Sequence, residues 1–146
     1  MASRLRFLVS ALLIAVSVGA LRVPGVDAAM PTPDQPILAS ITQGTECDAD
    51  LGCMPPLQDR PIPRFLRIDV RKKLITILAP IDRKGETTAI QFVEQMDDRI
   101  VIGGTEAKRV WSAILHQDGT MTLGLSDVGV GFVVFGNWMV AEDATK

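Results

Sequence analysis

Cys47 and Cys53 are the only cysteines among 146 residues and His116 is the only histidine, so three positions bound much of the side-chain chemistry open to this chain. Two thiols this close together, in a chain bound for an oxidising compartment, pair with each other and staple a small loop. Glu46, Asp48 and Asp50 stand beside them and could converge on a cation. Gly52, however, stands where a calcium loop wants an oxygen ligand, and Cys53 where it wants glycine. Zinc would find two thiolates of the four ligands it needs, and the spacing is not that of a haem attachment. The sequence therefore predicts a Cys47–Cys53 disulfide, no metal and no cofactor.

Imidazole chemistry would have to use His116. Ser112 shares its strand face, but four residues of strand separate the two by about 13 Å, far beyond a hydrogen bond. Ser40 and Ser126 lack the turn that exposes a nucleophilic serine. Asp97 and Asp98 form an adjacent acidic pair, yet neighbouring strand residues point to opposite faces and turn residues are solvated, so neither carries the raised pKa of an acid catalyst. Asp118, Gly119 and Thr120 read as a tight hairpin turn, and the glycines between Gly129 and Gly136 lack dinucleotide-binding spacing. No catalytic residue is assigned.

The elements that position these groups begin after an export signal. Arg4 and Arg6 precede an apolar run from Phe7 to Ala20, and Val26 and Ala28 supply the small residues of a cleavage site, so residues 1–28 are expected to be removed before Ala29. The run ends at Leu21 and Arg22, short of the roughly 20 residues that cross a bilayer. No cysteine lies at the cut to take a lipid, and no hydrophobic stretch after it is long enough to span a membrane. Asn137 is the only asparagine and opens no glycosylation sequon. The expected location is a periplasm or the medium.

Loss of Arg4, Arg6, Arg22 and Asp27 takes the formal charge from −2 to about −4, which argues against nucleic acid. The densest basic cluster, Arg71, Lys72 and Lys73, falls in a predicted turn. About 118 residues remain, enough for one small domain.

The mature chain divides near Arg64. Residues 29–63 are proline-rich and read as a lead-in arm; residues 64–146 carry short apolar runs separated by turn signals, the pattern of an antiparallel sheet. Strands are expected at 65–70, 74–78, 88–94, 99–102, 109–116, 120–125 and 131–139. The last run is apolar nearly throughout, as a strand covered on both faces would be. About seven strands in meander order predict an all-β fold curled into a small barrel or half-barrel. An α+β alternative places a short helix at 91–96.

Trp111, Trp138, Phe65, Phe92, Phe132 and Phe135 supply the large apolar area. If some of them line a pocket inside the curved sheet, Trp111, Phe132 and Trp138 are the predicted lining. Three functions follow: an exported non-catalytic module that binds a protein or envelope partner, a small barrel that carries an apolar ligand, and a hydrolase that uses dispersed acids. A free strand edge would also let two copies pair.

Overall fold

The structure, a computed structural model, describes residues 30–32, 34–55 and 62–141. The signal expected at 1–28, the cut before Ala29 and residues 56–61 of the proline-rich stretch lie outside them.

Apolar residues at alternate positions build nearly all of it. The strands are β1 (Ile37–Asp48), β2 (Gly52–Met54), β3 (Phe65–Asp69), β4 (Leu74–Ala79), β5 (Thr87–Ala89), β6 (Phe92–Gln95), β7 (Arg99–Glu106), β8 (Arg109–His116), β9 (Thr120–Asp127) and β10 (Val130–Val140). The 3-10 turn Ile81–Arg83 joins β4 to β5. Every pairing is antiparallel, in the order β5-β4-β3-β1-β10-β9-β8-β7-β6, with β2 folded onto β1.

The two ends of that order, β5 and β6, are consecutive in the chain. Ile90 N–H between them donates to the Lys73 carbonyl beside β4 at 2.9 Å, and Gln91 N–H donates to the Gly103 carbonyl on β7 at 2.8 Å. One bent segment thus bonds to both ends of the sheet and draws them together, which curls the sheet and leaves few unpaired edges. Side chains reinforce the seam: Thr88 Oγ1 donates to Glu106 Oε2, and Gln91 Nε2 donates to Thr105 Oγ1.

The concave side is filled. Ile37, Ile68, Ile102, Leu115 and Met121 are among its fully buried residues, and among the described residues no buried side chain is charged. Period-two alternation places them all on one face: Ile37, Ala39 and Ile41 on β1, Leu66 and Ile68 on β3, Trp111, Ala113 and Leu115 on β8. Among the described residues no helix is long and apolar enough to cross a membrane.

The all-β architecture agrees with the sequence reading, and three details differ. The lead-in arm contains β1, the longest strand, which lies mid-sheet between β3 and β10. Prolines flank this segment rather than interrupt it, and Ile37, Ala39 and Ile41 alternate inward like any other strand. The helix considered at 91–96 is strand β6, because register with β7 outweighs the helix preference of its residues. Finally, the single run expected at 88–94 is broken at the seam into β5 and β6, and with β1 and β2 this makes ten strands among the described residues where seven were expected.

Candidate functional site

Several of the acidic residues have local work in turns. Asp69 Oδ1 accepts from Lys72 N–H, Asp118 Oδ1 from Thr120 N–H, Asp127 Oδ1 from Val128 N–H, and Asp48 Oδ1 from Asp50 and Leu51 N–H. Arg99 donates twice to Asp98, which holds that carboxyl below its ordinary range. Thr120 does the same to Asp118, the Val128 amide and then Arg109 to Asp127, and Arg83 to Glu86. These shifts favour the ionised form, opposite to what a general acid uses.

Cys47 and Cys53 face each other across β1 and β2 and are joined, Sγ to Sγ 2.07 Å. Among the described residues, no three His, Cys, Asp or Glu side chains stand close enough to hold a metal ion. His116 ends β8 opposite Arg99 of β7, and its carbonyl accepts from Trp138 Nε1 at 2.8 Å.

Of the predicted pocket residues, two share a row. Trp111 pairs with Leu125, and Leu125 with Phe132, so Trp111 and Phe132 flank Leu125 on the concave face. Trp138 lies six residues from Phe132 along β10, about 20 Å away at strand rise, against the hairpin that begins at His116. Trp111 is buried to 4 % exposure, yet its Nε1 donates to no acceptor among the described residues.

The convex face carries the more unusual arrangement. Outward positions on β8 are Val110, Ser112 and Ile114; on β9, Thr122, Gly124 and Ser126; on β10, Gly131, Val133, Phe135, Asn137 and Met139; on β1, Leu38, Ser40, Gln43 and Thr45. None is ionisable. The nearest outward charges lie at the margins, Arg67 on β3 and Glu94 on β6, with Arg99 and His116 at one rim. Val110 is 56 % exposed, Phe135 46 % and Met139 63 %.

Comparison with family models, curated proteins and solved structures gives no match to this chain.

Two shallow clefts indent the convex face. One, about 390 Å³, lies between Phe65 and Met139 over Ser40. The other, about 330 Å³, lies over Ser112, Gly124, Ser126 and Gly131, with Val110 and Val133 at its sides, and its lining also includes Cys47, Leu125 and two of the predicted pocket residues, Trp111 and Phe132. Small residues cause the second cleft, since the strands there have little side chain to raise the surface.

Trp111 and Phe132, predicted as pocket lining, border the second cleft and Trp138 the first, while the exposed Val110, Phe135 and Met139 and the open Gly124 have no place in that prediction. A signal was present. The run 131–139 reads as covered on both faces, and the chain buries only one: Val134, Gly136 and Trp138 are inside, while Val133, Phe135 and Met139 stay open.

Proposed function

We propose that this chain is an exported, non-catalytic binding module, and that its partner covers the uncharged convex face of β8, β9, β10 and β1. One observation carries this reading: β10 is apolar on both sides, and its outward residues Val133, Phe135 and Met139 are exposed within a face that carries no charge. Contiguous apolar surface of this kind marks interaction sites. Export is supported by the disulfide and by the N-terminal charge and hydropathy pattern. The carboxylates held ionised by their neighbours support a non-catalytic role.

The test is Phe135→Arg in the full chain. Phe135 is 46 % exposed and projects outward, so the variant is expected to keep the fold, checked by circular dichroism. Native mass spectrometry of the exported fraction should find the wild type in a complex, with itself or with another protein, and the variant alone. A wild type that travels alone would remove this reading.

A second reading rests on Trp111. A buried indole N–H without an acceptor is what a ligand carbonyl could satisfy, so the chain would carry a small apolar molecule bearing one acceptor. Gentle purification followed by native mass measurement would show that molecule as added mass.

A further inference from the structure

We propose that the occupant of the uncharged face is a second copy of this chain, packed sheet to sheet about a two-fold axis. This rests on the reading of that face as the binding surface.

Charge is the first reason. In a two-fold contact the same patch meets itself, so any charge near the axis meets its own sign. A face with ionisable groups only at its margins avoids that repulsion, and a partner of opposite charge would have nothing on it to recognise.

Relief is the second. Register links one transverse row, Phe92–Gly103–Ser112–Gly124–Val133, across five strands. At one end of the row the Phe92 ring lies on Gly103, where a Cβ would overlap it. Two strands further along, the nearest atom to a Cβ on Gly124 is Ser112 Oγ at 4.0 Å, and beside Gly131 it is the Leu125 carbonyl at 3.9 Å. The chain covers the first glycine with its own aromatic ring and leaves the second open. The ridge of Val133, Phe135 and Met139 runs beside that opening, so a two-fold copy presents apolar side chains to the trough and receives the same in return.

Area is the third. Strands about 4.8 Å apart and residues about 3.4 Å apart give the face a projected area of about 500 Å². Two copies would bury about 1,000 Å² in total, the low end for specific interfaces.

The experiment is sedimentation velocity and native mass spectrometry on the purified mature protein at micromolar concentration, with Gly124→Arg and Arg67→Glu alongside. Gly124 has ordinary strand backbone and room for a Cβ, so its variant keeps the fold, checked by circular dichroism and melting. The expected result is a dimer for the wild type and for Arg67→Glu, whose site borders the face at its margin beside Leu38, and a monomer for Gly124→Arg. A monomeric wild type, or a Gly124→Arg protein that dimerises as well as the wild type, overturns the proposal. If the pure wild type is monomeric while the exported fraction still holds it in a complex that Phe135→Arg abolishes, the second copy is wrong and the binding face stands. If neither association is found, both fall.

Discussion

The carbonyl oxygen of Ser40 lies in the space that a Cβ on Gly136 would occupy. The two strands approach this closely where β1 carries an extra residue: Ile41 pairs with Gly136 and Gln43 with Phe135, so Thr42 is left over as a bulge. Gly136→Ala must push β1 away from β10, the most extensive pairing in the sheet. The expected cost is about 3 kcal/mol, as for other overpacked sites, read as a lower urea midpoint with an unchanged slope. A midpoint equal to that of the wild type would mean the bulge relaxes freely.

That contact also shows what a sequence can and cannot carry. The hairpins around 71–73 and 118–119 were legible because their determinants are local: alternation on both sides, and Asp118 and Gly119 at the turn, where Gly119 takes φ 84°. The place of β1 was not legible, since Ile37, Ala39 and Ile41 form a short pattern among prolines and only pairing with β3 and β10 makes it central. The break between Ala89 and Phe92 is likewise a product of closure, because that segment must leave β4 and reach β7. For the site, the doubly apolar run 131–139 was visible. Which of its faces stays open depends on what Thr122, Gly124 and Ser126 place beside it, and that is long-range information.

The turn between β7 and β8 is made by Ala107 and Lys108, both at positive φ, 46° and 72°. Two-residue hairpins of this twist favour Asn-Gly, because a Cβ is strained there. Ala107→Asn with Lys108→Gly should raise stability by about 1 kcal/mol, seen as a higher melting temperature. No gain would mean that glycine's extra freedom in the unfolded chain cancels the relief.

Trp111→Phe separates the two readings of the concave face. If nothing accepts from Nε1, removing that buried donor relieves about 1–3 kcal/mol of desolvation penalty. Loss of contact area by the smaller ring opposes this, so stability should change by less than about 1 kcal/mol either way. If a bound molecule accepts from the indole, the variant should instead lose the added mass seen in the wild type. Retention of such a ligand by the variant would show that the indole N–H is not its donor.

Acid should unfold this protein by releasing turn-holding carboxylates. In the folded chain the Arg99 guanidinium holds Asp98, Thr120 holds Asp118, and the Val128 amide with Arg109 holds Asp127 below the ordinary 3.8, while Arg83 holds Glu86 below 4.5. For Asp69, burial pushes the other way and is outweighed by hydrogen bonds from the Lys72 amide and ammonium. A carboxyl with a lower folded pKa binds protons more weakly than in the unfolded chain. Its stabilisation is therefore fully present above the ordinary value and is lost as pH falls through the folded one. The melting temperature should stay level from neutral pH to about pH 5 and decline below about pH 4. Because these groups are solvent-exposed, added salt should flatten the decline. Asp98→Asn and Asp127→Asn should each lower the neutral plateau slightly and reduce the acid slope. An acid slope unchanged in both variants would place the pH-sensitive contacts elsewhere in the fold.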